Sequence, residues 1–203
     1  MAKRILMFAL PFLAACSQQA EPAPDTPTTT LHQVMLAEID EPADALWELT
    51  NSAIGDQGGL DPALMDDARW TRLAELADQV AAGSARIAAM DPIVVAPPGV
   101  AIGDSNIEGG HSAEQVQAAI DRDPAGMRAL AESLGSHVGD LATAARAHDA
   151  ATAGPLVDAL DGVCESCHLQ YWYPEQRELI EQFQNSGVVD PDHPALGPRE
   201  AAK

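Results

Sequence analysis

Four runs of apolar residues recur at helical spacing between residues 31 and 168, and the last carries Cys164, Cys167 and His168 close together. The first holds Leu31, Val34, Met35 and Ile39, then Leu46 and Trp47 beyond Pro42. A proline there either kinks the helix or restarts it with Asp40 as cap. Asp61-Pro62 opens the second run, with Trp70, Leu73, Ala77, Val80 and Ile87 on one face after Leu64. Asp123-Pro124 opens the third, with Met127, Leu130, Leu134, Val138 and Leu141. Gly154-Pro155 opens the fourth, where Leu156, Leu160, Val163 and both cysteines share a stripe that faces the core. Aromatic residues make up only 4% of the chain, which suits close-packed helices better than sheets. Four amphipathic helices with modest connections predict an all-α fold, an up-down-up-down four-helix bundle.

The connections carry their own signals. Gly55 to Gly59 reads as a turn, and residues 91–111 hold three prolines and four glycines, a long connection with room for a short extended piece. Ser112 with Gln115 forms a capping box opening a brief helix to about Ile120. Beyond Pro174 a short acidic helix reaches Phe183.

The N-terminus bears on compartment. Lys3 and Arg4 precede an apolar run from Ile5 to Leu13 that is too short to span a bilayer, the pattern of a secretory signal. Leu13-Ala14-Ala15-Cys16 resembles the lipobox of bacterial lipoproteins, in which the cysteine is lipidated and becomes the new N-terminus. The expected organisation is a signal peptide over 1–15, lipidated Cys16 with a proline-rich tether over 16–30, a bundle over 31–183 and a loose tail over 184–203. The expected location is the periplasmic side of a bacterial membrane, held by lipid alone.

Removal of residues 1–15 takes away Lys3 and Arg4 and no acid, leaving 9 basic against 31 acidic residues. Such a surface repels nucleic acid and anionic headgroups and attracts a basic partner. With Cys16 carrying lipid, Cys164 and Cys167 remain as a single local pair, which is no disulfide framework.

Three chemistries compete for Cys164-Glu-Ser-Cys167-His168. A redox dithiol of the thioredoxin kind wants a preceding strand and a βαβ setting, and the chain offers neither. A zinc site needs about four ligands, usually from two separated pairs. The remaining histidines are His32, His111, His137, His148 and His193, with no second cysteine pair. Covalent haem needs what is written here: two cysteines to add across the vinyl groups and an adjacent imidazole for the iron. On a helix these three residues lie at i, i+3 and i+4, on one face.

A haem-attachment motif near the end of the last helix of a bundle resembles the class II cytochromes c, cytochrome c′ and its low-spin, methionine-ligated relatives. The resemblance covers roughly residues 31–173 and rests most on Cys164, Cys167 and His168, with Leu31–Met35 as weaker support. It implies one covalent haem c, with His168 as proximal iron ligand and Met35 as the candidate distal ligand. The long loop from Asp91 to His111 and the aromatic Tyr171-Trp172-Tyr173 depart from the common pattern. Dimers through helices like the first two are common in the family, and a homodimer is compatible with this chain.

With helices one and four antiparallel, sequence order puts Met35 and His168 at the same end of the bundle, on opposite sides of a haem. Sulfur ligation from Met35 predicts a six-coordinate single-electron carrier serving redox partner proteins with basic docking surfaces. If Met35 only packs, the iron is five-coordinate and binds nitric oxide or carbon monoxide; His32, one turn earlier, is a further candidate. Trp47 and Trp70 read as core, His137 as a satisfied core histidine, and His111, His148 and His193 as exposed. Tyr171 and Trp172 either cover the haem or form a docking rim. Arg69, Arg72 and Arg128 are candidates for the haem propionates. No nucleophile–base arrangement points to an enzyme.

Overall fold

A computed structural model describes residues 29–56 and 58–185. The expected signal peptide, Cys16, His193 and most of the C-terminal tail lie outside the described residues. Helices dominate, and the four-helix bundle forms as expected. A first rod runs through α1 (Leu31–Val34), a π-helical turn over Met35–Asp40 and α2 (Glu41–Asn51). α3 (Asp67–Ala88), α5 (Pro124–Arg146) and α6 (Ala150–Tyr171) complete the bundle, while α4 (Ala113–Arg122) and α7 (Glu175–Asn185) flank it.

Pro42 neither breaks the first rod nor restarts it. Asp40 makes no capping bond, and the helix passes without interruption from the π turn into α2. Proline has no N–H and its ring crowds the carbonyl one turn back. Widening the turn that precedes it lets the rod continue, and such π insertions recur at functional sites. Beneath this turn lies Gly83 of α3, where a Cβ would come within 2.8 Å of both the Glu38 carbonyl oxygen and the Ile39 side chain. Arg86 of α3 pairs with Glu38 at 3.1 Å on the rim of the same contact.

Two helix starts lie elsewhere than the proline signals suggest. Asp61-Pro62 opens only a 3-10 turn, Pro62–Leu64, with Leu64 exposed; α3 starts at Asp67, capped by Asp66 through the Arg69 N–H. The fourth helix starts at Ala150 under an Asp149 cap, which places Pro155 inside it. In both places a capping carboxylate outweighs the proline as the punctuation mark. Ser112 and Asp123 cap α4 and α5 as predicted.

The long 91–111 connection does structural work at the first rod. The N–H groups of Leu31 and His32 donate to the carbonyls of Val94 and Val95 at 2.7 and 2.9 Å, supplying partners that the start of a helix lacks. Gln117 of α4 pins the same loop: its Oε1 accepts from the Val95 N–H at 2.8 Å and its Nε2 donates to the Ile93 carbonyl at 2.9 Å. Thr30 and Gln33 close a capping box over the same end. These bonds set the height of Met35 along the bundle axis.

Leu31, Leu46, Leu73, Val80, Leu141 and Leu160 form the fully buried centre. α3 and α5 pack most closely, with Ala77, Ala81, Ser84 and Gly135 keeping their side chains short. Trp70 is buried and stacks on His148, ring centroids 5.6 Å apart. His137 is satisfied as predicted, its Nε2 2.7 Å from the Leu156 carbonyl.

Candidate haem site

The first rod and α6 do not close on each other at the Met35 end. Between them lies a cavity of about 330 Å³, walled on its third side by α5. Cys164, Cys167 and His168 reach it from α6, and Met35, Ile39 and Trp47 from the first rod. Met127, Leu130 and Leu134 of α5 line it as well; Leu130 and Leu134 are only partly buried because they face this space. A second cavity of about 230 Å³ adjoins it, sharing Met35, Asp40, His168 and Trp172 and roofed by Ile102, Gly103 and Asp104 of the long loop. The first volume alone lies in the usual range for cofactor sites, roughly 300–1,000 Å³.

The chemistry of the cysteines fits a thioether role. Burial, joined by Asp161 and Glu165, pushes the Cys164 thiol up to about 12. Burial, with Cys164 beside it, pushes Cys167 up to about 12 as well. Thiols so placed stay neutral at pH 7 and are poor redox or zinc thiolates. A carbon-bonded sulfur carries no charge and suits the same surroundings. Cys167 Sγ also lies 3.5 Å from the Met127 sulfur.

His168 is presented to the cavity in a fixed attitude. Its Nδ1 lies 3.3 Å from Glu165 Oε1, one turn back on α6. With that nitrogen occupied, Nε2 is the one left for a metal. The rings of Trp172 and Tyr173 tilt against the imidazole at centroid distances of 6.0 and 5.7 Å. Opposite stands Met35, at the first position of the π turn and partly buried. His32 reaches only the outer cavity.

A model of the family described as cytochrome c′ matches residues 72–172, from within α3 to the residue just past α6. The chain belongs to the cytochrome c′ family. Cytochromes c′ bind haem c covalently, with iron as the metal, the cofactor the sequence predicts. The match takes in Cys164, Cys167 and His168 and leaves Met35 upstream of it. No curated protein and no solved structure gave a match. Cytochromes c′ are typically periplasmic, and among the described residues no helix is long and apolar enough to cross a membrane.

Several surrounding residues take places that the sequence did not reveal. Trp47 is a cavity wall rather than interior core. Tyr171 is buried and donates its hydroxyl to the Asp123 carbonyl at 3.1 Å, while Trp172 lines both cavities. His111 is not exposed: its side chain is 15% accessible, held between the Tyr171 carbonyl and Glu175, each at 3.2 Å. None of the three arginines lines either cavity. Arg69 donates to the Leu64 carbonyl, Arg72 pairs with Glu75, and Arg128 donates to the Met90 carbonyl and pairs with Asp91. Carboxylates take their place, with Asp40, Asp44, Asp161 and Glu165 around the inner cavity and Asp104 at the outer one.

Proposed function

We propose that the chain is a single-electron carrier in which Cys164 and Cys167 hold haem c and His168 and Met35 supply the two axial ligands. Bound haem supplies the one-electron chemistry of its iron. Cys164 and Cys167 fix its position through thioether sulfurs, and His168 offers Nε2 while Glu165 engages Nδ1. Leu130, Leu134, Ile39 and Trp47 exclude water and keep the local dielectric low. The observation that carries the reading is that Met35 and His168, from separate rods, line the same two cavities. Both ligand donors sit on packed helices, which favours little rearrangement between oxidation states.

The polar N-terminal segment and Cys16 fit a lipid tether on the periplasmic side of a membrane, and the acidic surface fits a basic redox partner. A homodimer through the first two rods is compatible with this arrangement.

One observation favours a second reading, an open distal position that binds nitric oxide or carbon monoxide. The matched family is cytochrome c′, whose iron is five-coordinate, and the matched residues exclude Met35. Visible absorption spectra of the ferric and ferrous protein, with and without carbon monoxide, separate the two. Low-spin spectra unchanged by carbon monoxide support the carrier; a high-spin ferric form whose ferrous state takes up carbon monoxide supports the gas-binding reading.

A further inference from the structure

Glu165 stands between two groups that compete for one of its oxygens. Oε1 lies 3.3 Å from His168 Nδ1 and accepts a hydrogen bond from the Tyr173 hydroxyl at 3.1 Å. The three residues are fixed relative to one another by the end of α6: the N–H groups of Trp172 and Tyr173 both donate to the His168 carbonyl, at 2.8 and 3.0 Å. Glu165 and His168 are each about two-thirds covered, and Tyr173 is buried. A phenol keeps its proton at neutral pH, so Tyr173 is the O–H donor to Oε1.

We propose that Glu165 is the positioning residue of the haem histidine, setting its tautomer and its donor strength through Nδ1, and that Tyr173 restrains that effect by hydrogen-bonding the same carboxylate oxygen. The inference rests on His168 being the iron ligand, as proposed above. A carboxylate that accepts the outer N–H of a metal-bound imidazole fixes the ring and makes the inner nitrogen a stronger base. Stronger donation and a nearby negative charge both favour ferric over ferrous iron, so the reduction potential is held down. The Tyr173 hydroxyl withdraws part of that charge, because a charge-assisted bond to Oε1 leaves less for Nδ1–H.

Opposite signs follow for two nearly isosteric substitutions. Glu165→Gln keeps an acceptor near Nδ1 but removes the charge, and its potential should rise. Tyr173→Phe keeps the ring against the imidazole and removes the hydroxyl's bond to Oε1, so its potential should fall. A residue that merely held the ring in place would not give opposite displacements.

The test is a spectroelectrochemical titration of wild-type holoprotein and both variants at fixed pH and salt. At the wild-type midpoint, Glu165→Gln is expected to shift the ferrous-to-ferric ratio about tenfold towards ferrous, which is about 59 mV for one electron. Tyr173→Phe is expected to shift it towards ferric. Shifts of the same sign, or no shift in Glu165→Gln, overturn the inference. If Glu165→Gln yields no holoprotein, Tyr173→Phe decides alone: a fall supports the inference, and a rise or no change refutes it. The electron paramagnetic resonance spectrum of ferric His168→Ala tests the parent reading separately, because an unchanged ligand signature would remove His168 from the iron whatever Glu165 does.

Discussion

Gly83 and Glu38 meet backbone to backbone: a Cβ on Gly83 would lie 2.8 Å from the Glu38 carbonyl oxygen and 3.0 Å from its Cβ. That contact seats the π turn, and with it Met35, against α3. The obstructing atom is main-chain oxygen within a helix, so the neighbour cannot move aside cheaply. Overpacking of this kind costs about 1–3 kcal/mol. Replacing a helical glycine with alanine returns about 1 kcal/mol in propensity. The clash outweighs the gain, so Gly83→Ala should be less stable by about 1 kcal/mol in chemical denaturation, against the usual direction of a glycine-to-alanine change in a helix. The same variant should broaden or split the haem absorption spectrum, because the first rod can relieve the contact only by shifting Met35.

Two methionines face the cavity, and they differ in their partners. Met127 is buried and lies 3.5 Å from Cys167 Sγ. Met35 is partly buried and shares both cavities with His168. Met35→Ala is expected to give a high-spin ferric protein whose ferrous form binds carbon monoxide. Met127→Leu, which conserves volume, is expected to cost less than about 1.5 kcal/mol and to leave the spin state unchanged. Absorption spectra of both variants check the assignment.

The acid-lined cavity makes stability depend on pH. Desolvation at the cavity rim raises the Asp40 carboxyl above its ordinary value of 3.8, and Asp44 adds to the rise, while His168 and His32 oppose it. A raised folded-state value means that the stabilising contribution belongs to the protonated form. It is fully present below the unfolded value and lost as pH rises through the folded one. Asp40→Asn cannot ionise, so it should gain stability relative to wild type between pH 3.5 and pH 7, with the two chains converging at the acid end. Urea denaturation of the holoprotein at those two pH values measures the difference.

A buried phenol ties the end of α6 to the start of α5. Tyr171 is buried, and its hydroxyl donates to the Asp123 carbonyl at 3.1 Å, next to the cap of α5. Tyr171→Phe removes the donor without changing the packing and should cost about 1 kcal/mol. Thermal denaturation should show the loss, with the visible spectrum unchanged because Tyr171 lines neither cavity.

Much of this architecture is legible in the residues. Leu31 opens the first rod, Ser112 with Gln115 opens α4, and Asp123-Pro124 opens α5, each because a local cap decides the matter. Local signals misled where two of them lay close together: Asp61-Pro62 and Gly154-Pro155 each read as a start, but Asp66 and Asp149 cap the helices that form. Pro42 was ambiguous because a π turn is a third response to the same missing N–H, one that the contact with Gly83 helps to hold in place.

That Cys164, Cys167 and His168 share one face of the last helix follows from their spacing, and all three line one cavity. The rest of the site does not follow from spacing, for a physical reason. Leu130, Leu134 and Trp47 occupy ordinary apolar stripes, and periodicity does not distinguish a core wall from a cavity wall. Glu165 was within reach: it lies inside the motif, three residues before His168, the spacing at which helical side chains meet. His111 reads as exposed in sequence because its partners, the Tyr171 carbonyl and Glu175, lie some sixty residues away.

The central claim is that Cys164 and Cys167 carry haem through carbon–sulfur bonds, and intact-mass spectrometry of the exported protein after acid–acetone treatment tests it most directly. The account predicts that the wild-type chain exceeds a Cys164→Ser, Cys167→Ser double variant, prepared in the same way and so carrying the same group at Cys16, by the mass of one haem. A wild-type chain without that increment, with the pigment in the acetone phase, would contradict it.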